Sequence, residues 1–167
     1  MKASHILATF ALATAAAGVS AAEIDRFVGH APSNLLKKEA GFAKVYRAAI
    51  HDLDLPEWTK KLSIGFPAEV VEIGGRKLLL TSACSPQGGC SDERMYLLYA
   101  PEKKELTGFF FLSPNADAPG DHRMAMSRWI GRTPPKEYSD YLLQRALQDA
   151  LNPEKDVTRL PLAEPGK

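Results

Sequence analysis

The two cysteines of the chain, Cys84 and Cys90, are its most reactive side chains, and their spacing limits the chemistry that they can do. They enclose the short polar segment Ser85-Pro86-Gln87-Gly88-Gly89, and strand-like sequences, residues 76–83 and 94–100, lie on both sides. A redox-active dithiol usually has two residues between its cysteines and begins a helix. The pattern therefore favours a disulfide between Cys84 and Cys90, which closes a small loop on a hairpin tip.

A disulfide in this place has two interpretations. As a structural staple it contributes only about 2 kcal/mol in the chain-entropy model, because short loops gain least. As a recognition element it fixes the conformation of the loop and lowers the entropy that is lost on binding. A stiffened surface loop suits insertion into the cleft of another molecule, so we favour recognition and expect a binding or inhibitor protein.

Other catalytic or metal-binding constellations are sparse. The histidines outside the N-terminal segment, His30, His51 and His122, are isolated and show none of the spacings of metal ligands. His51-Asp52-Leu53-Asp54 is better explained as a solvated helix end, where imidazolium is favoured, than as a metal cluster. The chain also lacks the nucleophile-elbow, phosphate-loop and dinucleotide-binding motifs.

Neither the serines near the disulfide nor the neighbouring acids form a catalytic pair. Ser82 and Ser85 flank Cys84, but no histidine is close in sequence to act as a base. Asp92 and Glu93 are adjacent, so a strand would direct them to opposite sides. We therefore expect no catalytic residue, no metal, no cofactor and no enzymatic activity.

The N-terminus predicts export. Lys2 precedes an apolar, alanine-rich run from Ile6 to Val19, and Val19-Ser20-Ala21-Ala22 has the small residues that signal peptidase requires. We predict a signal peptide over residues 1–22, cleaved after Ala21 or Ala22, and a periplasmic or extracellular mature protein. A retained N-terminal anchor is the alternative, although the run is short for a membrane span.

Length and charge limit the partners. About 145 mature residues fit one domain with a real core, predicted over residues 23–157 and followed by a proline-punctuated tail over residues 158–167. The chain has 21 basic and 20 acidic residues, and Lys2 belongs to the predicted signal peptide, so the mature charge is balanced. We therefore expect neither nucleic acid nor a membrane as the partner.

The hydrophobic pattern predicts an α+β fold of about five antiparallel strands, with flanking helices on one face and a protruding, disulfide-closed hairpin loop. One helix is expected from Ser33 or Asn34 to about His51, and another after Thr133-Pro134-Pro135. Because Phe109-Phe110-Phe111 must place side chains on both sides of its strand, both faces should be partly covered. The predicted strands are residues 68–73, 76–83, 92–100, 105–112 and 123–130.

Several short motifs resemble one known family when they are taken together and in order. The chain is similar to the Ivy family, the periplasmic inhibitors of vertebrate (C-type) lysozyme, from about Leu35 to Leu151. The resemblance implies an antiparallel sheet with flanking helices, no catalysis, frequent homodimers, and a disulfide loop that plugs the active cleft of lysozyme. The motifs are Leu55-Pro56-Glu57-Trp58, Ser82-Ala83-Cys84, Pro86, Cys90, Arg94 to Tyr99, Leu106-Thr107-Gly108-Phe109 and Trp129-Ile130-Gly131.

The loop itself departs from the family pattern, which typically reads Cys-Lys-Pro-His-Asp-Cys with the histidine between two lysozyme carboxyls. Here Ser85 replaces the lysine, Gln87 stands in the place of the histidine, and Gly88-Gly89 replace one aspartate. The resemblance implies partner contacts from residues 84–90, and Asp92 and Glu93 are possible contacts to a basic rim. The glutamine keeps two N–H donors but cannot become a cation.

Three interpretations follow from these patterns. The first is an inhibitor of C-type lysozyme, or of another muramidase-type enzyme, that acts through the loop. The second is an Ivy-like binding protein with a different target, such as a lytic transglycosylase, or with weak or no inhibition. The third is an enzyme, which would require a concave site with convergent carboxylates or histidines.

Overall fold

The computed structural model of the protein describes residues 24–87, 90, 93–112 and 126–151, without the side chains of residues 150 and 151. The predicted signal peptide and C-terminal tail lie outside these residues. So do Gly88, Gly89 and Asp92 of the predicted site, and the first three residues of the predicted fifth strand.

Five strands form a single antiparallel sheet in the order β1-β2-β3-β4-β5, as the sequence predicts for a meander. The pairing of β1 with β2 is irregular between Phe66 and Glu69, where Pro67 interrupts the ladder. β1 therefore extends beyond this irregularity and begins four residues before the predicted Ala68. The strands are β1 Ile64–Ile73, β2 Arg76–Ser85, β3 Glu93–Ala100, β4 Glu105–Leu112 and β5 Met126–Gly131.

The turn between β1 and β2 is set by two glycines. Ile73 pairs with Arg76, so Gly74 and Gly75 alone form the connection. Their φ angles are 59° and 72°, the left-handed values that a tight hairpin of this kind needs at both central positions. The predicted two-residue hairpin is thus confirmed.

The helices are α1 Pro32–Lys38, α2 Ala40–Ile50 and α3 Lys136–Leu151, with a short 3-10 helix over Glu57–Lys60. The prediction of one continuous helix up to His51 is wrong, because Glu39 is extended, with φ −105° and ψ 93°. This break lets α1 contact β1 and β2 while α2 contacts β4 and β5. The start was also misplaced, since Ala31 precedes a first turn that opens with Pro32.

The sheet has a buried core on each face. On the first face, called the α1/α2 face, Phe42 and Tyr46 pack against sheet residues such as Phe110. On the second, called the α3 face, Tyr138 and Leu142 of α3 pack against β-strand side chains that include Tyr96, Leu98 and Phe109. The α+β class, the five-stranded antiparallel sheet and the disulfide at a hairpin are confirmed, and both faces are covered.

The expectation that the helices share one face is wrong, because α3 lies on the face opposite to α1 and α2. The prediction followed from the hydrophobic pattern, which does not determine the side of the sheet to which the last helix returns. Along α3, Leu147 is 60% exposed, whereas Leu142 is fully buried.

Candidate functional site: the disulfide loop

The disulfide loop, residues 84–90, leaves the sheet between its two most deeply buried strands. The ladder of β2 and β3 ends where Cys84 pairs with Arg94. Cys84 and Cys90 form the predicted disulfide, with their Cα atoms 4.9 Å apart. Cys84 is fully buried and Cys90 is partly exposed. One end of the loop is therefore anchored in the core while the other lies near the surface.

The described residues of the loop differ sharply in what they can offer a partner. Pro86 and Gln87 are exposed, whereas Ser85 is only 3% exposed. The Gln87 backbone N–H donates to the Ser85 hydroxyl at 3.3 Å, which is a local side-chain turn. Ser85 thus shapes the loop from inside, and Pro86 and Gln87 form its available surface. The predicted contacts of Gly88 and Gly89 lie outside the described residues.

Arg94, which was not predicted as a site residue, forms a hydrogen bond with the last residue of the loop. Its Nε donates to the carbonyl oxygen of Cys90 at 2.6 Å, and its side chain is 4% exposed. A charge-assisted hydrogen bond of this kind is about twice as strong as a neutral one. The sequence signal was an arginine directly before the apolar run Met95 to Ala100 of β3, since a charged residue next to a buried run needs a specific partner.

Glu93, predicted as a rim contact, is held by the fold. Its Oε2 accepts a hydrogen bond of 2.8 Å from the indole Nε1 of Trp58. Trp58 itself packs beside Phe110 on the α1/α2 face, with 6.2 Å between the ring centroids, so it belongs to the core. The half-buried Glu93 carboxylate fixes this indole, and its contact with a basic partner stays a prediction, as does that of Asp92.

An apolar side chain lies beside the base of the loop. Ile64, the first residue of β1, pairs with Cys84 across the ladder and is 39% exposed. Few other large apolar side chains among the described residues are as exposed, and those are distant in the chain. Ile64 therefore places an exposed apolar side chain on the strand next to the base of the loop.

A groove in the described part of the chain has a lining that does not match an acid–base site. This groove of about 680 Å³ lies near the β3–β4 turn, at the other end of β3 from the disulfide loop. Basic side chains line it, including Arg76, Lys103 and Arg132, together with the single carboxylate of Glu105 and no histidine.

Clusters of metal-ligating residues and shifted pKa values are two further signs of a chemically active site. Within residues 24–87, 90, 93–112 and 126–151, no three His, Cys, Asp or Glu side chains converge as a metal site. His51 and Asp52 are both exposed and bonded to each other at 2.6 Å, which fits the predicted solvated helix end. The resolved pKa shifts fall on tyrosines, where burial raises the pKa of Tyr46, Tyr96, Tyr138 and Tyr141.

None of the helices in the described residues combines the length and apolar character needed to cross a membrane. Comparison of the sequence with protein-family models and with curated proteins gives no match. The disulfide loop is therefore chosen as the candidate site on its own geometry, namely an anchored base and an exposed tip.

Proposed function

We propose that this protein is an exported, non-enzymatic inhibitor of C-type lysozyme in the manner of the Ivy family, with the disulfide loop as its inhibitory element. The observation that carries the proposal is the loop geometry: a buried Cys84, a disulfide to Cys90, and an exposed Pro86-Gln87 tip between them. A tip held in this way loses little conformational entropy on entering a cleft.

The chemistry of the target supports the same proposal. The cleft of lysozyme holds two carboxyl groups, one kept protonated by an apolar setting and one ionised. The exposed Gln87 amide carries two N–H donors and one carbonyl acceptor. It can donate to the ionised carboxylate and accept from the protonated one, and Pro86 beside it restricts the backbone.

The strength of inhibition should be limited by the neutral tip. Glutamine cannot form the charge-assisted pair that an imidazolium forms with a carboxylate, and such pairs are about twice as strong as neutral hydrogen bonds. We therefore expect weaker inhibition than a loop with histidine in this position would give.

The test is a titration of the mature, oxidised protein against C-type lysozyme acting on bacterial cell walls, with Gln87→Ala and Gln87→His beside the wild type. Gln87→Ala removes the two uncharged N–H donors of the amide and should weaken inhibition about tenfold. Gln87→His introduces an imidazole that becomes a cation below neutral pH and should strengthen inhibition there. Gln144→Ala, an exposed glutamine on α3, is the matched control and should inhibit like the wild type. Equal inhibition by the wild type and all three variants would show that Gln87 does not contact lysozyme.

Gln87 stands where the family has a histidine, and this difference also supports a second candidate. That candidate is an Ivy-like binding protein with another muramidase-type target, such as a lytic transglycosylase. No inhibition of C-type lysozyme at tens of micromolar would reject the first proposal. The same titration against a lytic transglycosylase then decides the second, because inhibition that depends on Gln87 supports it and its absence rejects it. A homodimer, which the family resemblance implies, is part of both proposals, and sedimentation of the mature protein in an analytical ultracentrifuge tests it.

A further inference from the structure

The arginine below the disulfide loop is held by a carboxylate from the far end of the chain. Arg94 NH1 donates to Oδ2 of Asp149 on α3 at 2.9 Å, while its Nε donates to the Cys90 carbonyl oxygen at 2.6 Å. One guanidinium thus joins the last helix to the second cysteine of the loop. Side-chain exposure is 4% for Arg94 and 18% for Asp149, so water screens this ion pair little.

Two further side chains fix the same carboxylate oxygen. The hydroxyl of Tyr96 lies 2.9 Å from Asp149 Oδ2 and 3.2 Å from Arg94 NH1. Arg145, one turn earlier on α3, approaches Asp149 Oδ2 with its Nε at 3.4 Å and Glu69 of β1 with NH1 at 3.7 Å. The position of Asp149 is therefore set by contacts from β3 and α3, and Glu69 of β1 in turn holds Arg145.

The position of Arg94 depends on the charge of Asp149, because burying an unpaired charge is costly. A guanidinium this deeply buried keeps its position only while anionic and carbonyl oxygens face it, since an uncompensated buried charge is strongly unfavourable. If Asp149 lost its charge, Arg94 would turn towards water and release the Cys90 carbonyl. Cys84 would stay in the core, because strand packing rather than Arg94 buries it.

We propose that Asp149 is a positioning residue for the disulfide loop, and that it acts through Arg94 to hold the Cys90 side of the loop against the sheet. The C-terminal part of α3 thereby fixes the position of Cys90. The effect of this control on inhibition rests on the proposed function, whereas its effect on the loop does not.

The test measures access to the disulfide in the folded protein. Reduction requires a thiolate to reach a sulfur atom, and since Cys84 is fully buried, attack depends on local opening at Cys90. The reduction rate by dithiothreitol, followed by alkylation and mass spectrometry, should rise about tenfold in Asp149→Asn. Asp140→Asn, an exposed aspartate on the same helix, is the matched control and should leave the rate unchanged.

A second variant keeps the proposal testable if circular dichroism shows that Asp149→Asn does not fold. Tyr96→Phe removes the hydroxyl shared by Arg94 and Asp149 but keeps the ring, and should raise the reduction rate about threefold. An unchanged rate in the folded variant overturns the proposal. Because the assay contains no lysozyme, a faster rate without any lysozyme inhibition rejects only the proposed function, and an unchanged rate with intact inhibition rejects only the positioning role.

Discussion

Both faces of the sheet are covered by apolar packing, but they differ near the disulfide loop, and the difference separates stability from control of the loop. On the α1/α2 face, Phe42 stacks on Tyr46 and meets Tyr99 edge-on, with ring centroids 5.9 and 5.4 Å apart. On the α3 face, the end near the disulfide loop is closed by the ion pair of Arg94 and Asp149. Aromatic packing supplies folding free energy, whereas a buried ion pair contributes little net stability but orients the groups that it bonds.

The largest effect should come from the aromatic cluster of the α1/α2 face. Phe42→Ala removes a fully buried ring and should lower the free energy of unfolding by about 3–5 kcal/mol in a urea titration. Leu143→Ala on α3 is the control, since Leu143 is 45% exposed and its loss should cost no more than about 0.5 kcal/mol. Equal losses in the two variants would contradict the assignment of stability to this face.

A double-mutant cycle on Arg94 and Asp149 should give the next effect. Asp149→Leu alone leaves the buried guanidinium without this carboxylate and should cost about 3 kcal/mol. The double variant with Arg94→Met should cost less than the sum of its single variants, with a coupling of about 1–3 kcal/mol. Urea unfolding measures both quantities, and additive losses would show that the ion pair is not an energetic unit.

Trp58→Phe should have a smaller effect, because it removes a single half-buried hydrogen bond on the α1/α2 face. The ring still packs near Phe110, while the 2.8 Å contact to Glu93 is lost, so we expect a loss of about 1 kcal/mol by thermal or urea unfolding. Glu93→Gln should cost less, since its amide oxygen still accepts from the indole. A larger loss in Glu93→Gln than in Trp58→Phe would show that the carboxylate stabilises the fold through a contact other than this hydrogen bond.

The smallest effect is an alkaline loss of stability that both faces share. Burial raises the pKa of Tyr46 on the α1/α2 face and of Tyr96 on the α3 face above the unfolded value of about 10. Unfolding is then favoured by phenol ionisation, so their contribution is complete below about pH 10 and is lost as the pH rises towards the folded pKa. Urea midpoints between about pH 8 and 11 should fall less steeply in Tyr46→Phe than in wild type, and an unchanged slope would contradict this.

The sheet was predictable from sequence because its signals are local. β2, β3 and β4 are apolar runs bounded by glycine or proline turns, such as Gly74-Gly75, and all three were predicted within two residues of each end. The break at Glu39 was not predictable, because glutamate is a good helix former and the bend serves contacts of α1 and α2 with different strands.

The candidate site was predictable only in its covalent part. The spacing of Cys84 and Cys90 indicated the disulfide, but nothing local pairs Arg94 with Asp149, which lies 55 residues later in the chain. Such a pair depends on which face the last helix covers, and the face predicted for α3 was wrong. Polar contacts between distant elements follow from topology, so they become visible only once the helix is in place.

The most direct test of the inhibitor proposal is the lysis of bacterial cell walls by C-type lysozyme, followed as turbidity in the presence of the oxidised protein or of its reduced and alkylated form. Circular dichroism establishes first that both forms are folded. We predict concentration-dependent inhibition by the oxidised protein and loss of inhibition on reduction, because the open loop no longer presents Pro86 and Gln87 in one conformation. Equal inhibition by both folded forms would contradict a role for the disulfide loop as the inhibitory element.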